Sequence, residues 1–95
     1  MLIELVKIIK SGRDYTLKQI YVNPKHVVYL QEDESFMRKL KEGVVSLDLH
    51  QSTGFSKIRL EVNGLREELT VIGSPTLIIR KFDAAMLNKK QLLRD

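Results

Sequence analysis

The side chains in this chain that can do covalent chemistry are few, and none stands in a catalytic arrangement. Two histidines and no cysteine occur among 95 residues, which excludes a thiolate nucleophile, a thiolate metal site and a disulfide together. Nucleophilic catalysis at a serine, threonine or lysine needs a neighbouring base held by a third group, and the histidines sit in single, unrelated contexts. His26 follows a proline at the start of an apolar run and reads as a rim residue. His50 shares a strand face with Asp48, a spacing compatible with two metal ligands but supplying no third. A solvated strand face accounts for that pair as well. The acidic run Glu32-Asp33-Glu34 could hold a cation or open a helix, and only the second needs no further partner. The five glycines are single and turn-placed, so there is no phosphate loop or dinucleotide fingerprint, and HExxH is absent too. The chain reads as a non-enzyme, with no cofactor, no metal and no small-molecule substrate.

Binding chemistry is better represented. The net charge is +4, a moderate excess that suits an anionic partner but also describes many ordinary domains. Two basic groups stand out: Arg38, Lys39 and Lys41 in one short segment, and Arg80, Lys81, Lys89, Lys90 and Arg94 toward the C-terminus. From residue 76 onward five cations face two anions, Asp83 and Asp95. Phosphate affinity follows clustered lysine and arginine, so these eight residues are the candidate nucleic-acid contacts, for DNA or RNA. Tyr15, Tyr21, Tyr29 and Phe55 could stack on bases, or could serve the core, since only six aromatics are present.

The elements that must position these residues are organised around Ser56 to Ile72. Two alternating runs flank Asn63-Gly64, whose residues tolerate the positive φ of a type I′ turn. A two-residue loop sets Val62 against Leu65 and Ile58 against Leu69 on one side, with Arg59 against Glu68 and Glu61 against Arg66 on the other. The same register puts Glu67 opposite Leu60 on the apolar side, which predicts a face that is open there or a basic residue reaching it. Leu2 to Lys10 reads as a first strand, ended by the turn cluster Ser11-Gly12-Arg13-Asp14, and Tyr15 to Val22 as its antiparallel partner. Asn23-Pro24 stops that strand, and His26 to Leu30 is the third. Phe36, Met37 and Leu40 then mark a short helix closed at Gly43. Val44 to His50 returns to strand alternation. After Ile72, Ser74 and Pro75 open a helix, with a second N-cap at Asp83 starting Ala84 to Leu93. Thr76 to Ile79 also fits a strand, and local pattern does not decide between the two.

Part of the chain resembles the small flagellar FlbD family, also called the swarming-motility SwrD proteins. The likeness lies in the amino-terminal strand, in Val22-Asn23-Pro24-Lys25-His26-Val27-Val28-Tyr29-Leu30-Gln31-Glu32-Asp33, in Ile58-Arg59-Leu60-Glu61-Val62-Asn63-Gly64, and in Leu69-Thr70-Val71 before a serine. It covers about two thirds of the chain. Similar short β proteins occur among uncharacterised bacteriophage proteins. Residues 35–54 and the longer basic tail depart from the family. The resemblance implies a small non-catalytic β protein that acts through protein contacts, and it transfers no functional residue.

The expectation is a single α+β domain over residues 1–95, with a core to residue 82 and a helical tail over 83–95. Its sheet is mostly antiparallel, of five to six strands, either curved or closed into a small barrel, with one inserted short helix and a C-terminal helical segment. The expected apolar face comprises Leu5, Ile8, Leu17, Val28, Leu30, Leu47, Leu49, Ile58, Leu60, Leu69, Val71 and Phe82. The opening segment, broken by Glu4 and Lys7, lacks the order of a signal peptide and the length of a membrane span. With no cysteine, the expected location is the cytoplasm. The expected function is a regulatory nucleic-acid-binding module, and the alternative is a protein-binding or self-associating adaptor using sheet edges, namely the Val44 to Leu49 strand or the N-terminal strand.

Overall fold

The computed structural model describes residues 1–43 and 54–94, with side chains as far as Leu87. The expected strand over Val44 to His50, with Leu47, Leu49 and His50, lies outside the described residues. The chain runs β1 (Ile3–Ser11), β2 (Asp14–Val22), a 3-10 turn (Pro24–His26), β3 (Val27–Glu32), α1 (Glu34–Lys41), β4 (Phe55–Val62), β5 (Leu65–Ile72) and α2 (Pro75–Arg94). The sheet is antiparallel in the order β2-β1-β5-β4-β3. It is α+β, as expected, but β2 and β3 are not paired with each other, so the sheet is open and not a barrel.

Both hairpins follow from their turns. Asn63 and Gly64 have φ of 51° and 83°, the left-handed pair that a type I′ turn requires. The observed register places Val62 opposite Leu65, Ile58 opposite Leu69, Leu60 opposite Glu67, Arg59 opposite Glu68 and Glu61 opposite Arg66, as the sequence predicts. Glu67 is exposed, so the apolar face is open at that end. The β1–β2 loop also has two residues, because Ser11 pairs with Asp14, and Gly12 takes φ 63°.

Alternation assigns the two faces. Ser56, Ile58 and Val71 point to one side with Ile3, Leu5 and Val22, and α2 covers this side through Ile78, Phe82 and Ala85. Phe55 points to the opposite side, where Phe36, Met37 and Leu40 of α1 pack over it with Ile8, Tyr15 and Ile72. Phe36 contacts Phe55 and Tyr15 edge-on, with ring centroids 4.9 and 5.8 Å apart, geometries that aromatic pairs favour.

Three residues expected on the apolar face are elsewhere: Ile8, three positions after Leu5 in a strand of period two, packs on the opposite side with Phe55, and Val28 and Leu17 are exposed. Val28 is 55% exposed because the β3–β4 pairing shifts by one residue between Val27 and Tyr29. This bulge reverses the strand's alternation: Val27 and Leu30 face the core, and the extra residue turns out. Leu17 is 45% exposed because β2 is the end of the sheet and Leu17 lies on the side that α2 does not cover. Ile3, Val22, Phe36, Phe55 and Ile78 are buried core residues absent from the expected set.

The C-terminal segment is one helix. Ser74 caps it, its Oγ accepting from Leu77 N at 3.3 Å and its carbonyl from Ile78 N at 3.1 Å. Pro75 opens the first turn, where its missing N–H costs nothing. No break occurs at Asp83, because an aspartate in an exposed helical position costs only tenths of a kcal/mol to about 0.7 kcal/mol. The helix therefore runs through the expected core-to-tail boundary at residue 82, and Ala85 beyond it packs on the core.

Candidate functional site

The eight candidate nucleic-acid contacts do not form one surface. Arg38, Lys39 and Lys41 are exposed on α1, whereas Arg80 and Lys81 are exposed on α2. The two helices lie on opposite faces of the sheet, as their packing on Phe55 and Ile58 shows. Lys89, Lys90 and Arg94 continue along α2, and their side chains lie outside those described.

The acidic run does structural work. Asp33 is buried and caps α1, its Oδ1 accepting from Phe36 N at 3.0 Å. Its Oδ2 accepts from Thr70 Oγ1 at 2.7 Å, and its own N–H donates to the Phe55 carbonyl at 2.9 Å. Strand β3, helix α1 and strand β5 are thereby joined at one carboxylate, which holds Arg38, Lys39 and Lys41 in place on the outer side of a short helix. Among the described residues, no group of three histidine, cysteine or acidic residues is placed to bind a metal ion; Asp48 and His50 are outside that set.

The aromatics also separate. Phe55 is 2% exposed and Tyr15 is half-buried against Phe36, so neither is available to stack on a base. Tyr29 is bound to its neighbours: its hydroxyl donates a hydrogen bond to Glu68 Oε2, and the Arg59 guanidinium lies 5.2 Å from its ring centre. Glu68 also pairs with Arg59 at 3.3 Å and Lys57 at 3.6 Å. The Tyr29 hydrogen bond, with smaller contributions from Lys57 and Arg59, holds the Glu68 carboxyl below the usual carboxylate range. The same bond pushes the Tyr29 phenol up, opposed by Arg59. One carboxylate thus engages both cations, so the cluster keeps a single net positive charge where two free cations would otherwise face a phosphate. Tyr21, at 60% exposed, stands on the far strand β2.

Among the described residues no strand pairs with the outer side of β2, an edge that sequence reasoning did not single out. The N-terminal strand expected there is instead inside the sheet, between β2 and β5. Strand β2 has nine residues, contains no proline, and pairs with β1 without a register shift from Ile3–Val22 to Ser11–Asp14. Its closing pair is joined by a two-residue loop, so Asp14, Thr16, Lys18, Ile20 and Val22 direct their main-chain groups to β1. The N–H and C=O groups of Tyr15, Leu17, Gln19 and Tyr21 point away from the sheet. The opposite edge differs, because β3 has six residues, carries the Val28 bulge and is entered through a Pro24 turn. Such features discourage strand addition. No helix among the described residues is long and apolar enough to cross a membrane. Comparison of the chain with family models, curated proteins and solved structures finds no match.

Proposed function

We propose that this protein is a non-enzymatic cytoplasmic binding module that captures an extended segment of a protein partner along β2. The observation that carries this reading is the edge itself: nine residues, straight in register and free of proline or bulge. A strand added there gains main-chain hydrogen bonds, while alternate side-chain positions supply specificity. Leu17 and Tyr21, both exposed, occupy those positions on the side facing away from α2. The resemblance to FlbD-type proteins implies the same class of action.

The test is selection from a library of linear peptides, followed by binding to Gln19→Pro. Gln19 points its N–H outward, so proline there removes an edge donor and leaves the β1 ladder intact. Selected peptides are expected to lose at least about tenfold in affinity, or 1.4 kcal/mol. Peptides that bind both proteins equally would refute the reading.

A second reading, regulatory contact with DNA or RNA, is favoured by the three exposed cations within one turn of α1. It divides the eight-residue footprint: α1 supplies Arg38, Lys39 and Lys41, and α2 supplies the separate set Arg80, Lys81, Lys89, Lys90 and Arg94. Titration with generic DNA and RNA at two salt concentrations decides it, because phosphate contacts make log K fall linearly with log salt. Absence of binding at low salt removes this reading.

A further inference from the structure

The chemistry of β2 narrows its partner. We propose that the edge pairs with the β2 strand of a second copy of this chain, antiparallel about a two-fold axis through Gln19. This rests on the edge reading above and goes beyond it in naming the occupant and the register.

A two-fold axis perpendicular to the sheet keeps each face on its own side, so only registers centred on a residue are allowed. Centring on Lys18 pairs the whole strand but sets two ammonium groups directly opposite each other, an unfavourable cross-strand pair. Centring on Leu17 leaves Tyr21 beyond the paired segment, and centring on Ile20 leaves Leu17 beyond it. Centring on Gln19 pairs Leu17 with Tyr21 of the second copy twice and places Lys18 opposite Ile20. An aromatic and an aliphatic side chain, 60% and 45% exposed in the single chain, then cover each other on either side of the Gln19 pair. The outward groups of Leu17, Gln19 and Tyr21 meet their counterparts, giving about six main-chain hydrogen bonds. The two five-stranded sheets become one continuous sheet. The bulged β3 edges lie at its ends and limit further growth.

The absence of native cysteine makes the register directly measurable. Residues paired across the axis at Gln19 have Cα atoms about 5.5 Å apart, within disulfide reach. Under mild oxidation Gln19→Cys is expected to form a covalent dimer at least tenfold faster than Thr16→Cys, and faster than Lys18→Cys. Sedimentation of the wild-type chain is expected to show a concentration-dependent dimer. Gln19→Pro, and Leu17→Arg as a variant that leaves the backbone unchanged, are each expected to weaken it at least about tenfold. A wild-type chain that stays monomeric to about 1 mM overturns the second-copy assignment while the peptide selection still judges the edge. A dimer unchanged by both variants places self-association on another surface and likewise overturns the second-copy assignment, the edge itself being judged by the peptide selection. Faster crosslinking at Lys18→Cys overturns the proposed axis.

Discussion

Replacing Asp33 with alanine should separate α1 from the sheet more effectively than removing any exposed charge. Its Oδ1 caps α1 at Phe36 N, and its Oδ2 accepts a hydrogen bond from the Thr70 hydroxyl in a part-buried site. Loss of an N-cap costs about 0.5–2 kcal/mol, and loss of a hydrogen bond to a charged acceptor costs about 1.5–3 kcal/mol. These effects share one side chain and do not add fully, so the expected cost is roughly 2–4 kcal/mol. In a domain of this size that lowers Tm by at least about 8 °C. Urea unfolding of the wild type, Asp33→Ala, Thr70→Val and the double variant gives the measurement. A coupling of about 1–2 kcal/mol is expected between the two positions, within the range for contacting residues. A cost below about 0.5 kcal/mol, or a Thr70→Val effect that is the same with and without Asp33, would refute the role of the carboxylate as the joint between β3, α1 and β5.

Two further regions, the Tyr29–Glu68 cluster and helix α2, can be perturbed in the same way. Glu68 is held below the usual carboxylate range mainly by Tyr29, so its contribution is present above the pH at which an ordinary carboxylate ionises and fades as pH falls through its lowered value. Glu68→Gln should therefore differ from wild type in stability at neutral pH and converge with it in acid, as read from urea midpoints against pH. The Tyr29 phenol is raised, its neutral form being favoured until pH passes its elevated value. Ultraviolet titration, with Tyr29→Phe to assign the signal, should show ionisation above that of free tyrosine and a fall toward it in Glu68→Gln. On α2, Ile78 is 1% exposed and Met86 48%. Ile78→Ala should cost roughly 2–5 kcal/mol, and Met86→Ala should stay within about 0.5 kcal/mol, so Ile78, Phe82 and Ala85 dock the helix and Met86 does not.

Local signals carried much of this fold. Asn63-Gly64 dictates a turn geometry, and a fixed turn dictates every cross-strand pair of β4 and β5, including the opposed charges and the exposed Glu67. The short helix was legible for a similar reason, since Asp33, Phe36, Leu40 and Gly43 act within about three turns of one another. Features that depend on distant partners were not. The Val28 bulge exists only relative to β4, so alternation within β3 placed that side chain on the wrong face. The position of β1 between β2 and β5 is a long-range choice, and it moved the free edge from the N-terminal strand to β2. The basic residues were visible as charge, but a linear sequence gives no sign that α1 and α2 lie on opposite faces. Continuity of α2 through Asp83 reflects packing of Phe82 and Ala85 on either side of it, which outweighs the weak preference of aspartate for a cap.

The most direct test of the edge is hydrogen exchange at single amides of β2, at rising protein concentration and with a selected peptide added. Thr16, Lys18 and Ile20 donate toward β1 and should exchange slowly throughout. Leu17, Gln19 and Tyr21 should exchange fast in dilute protein and become protected as the edge is occupied, giving an alternation that disappears on binding. Unchanged fast exchange at these three amides under every condition would contradict the account.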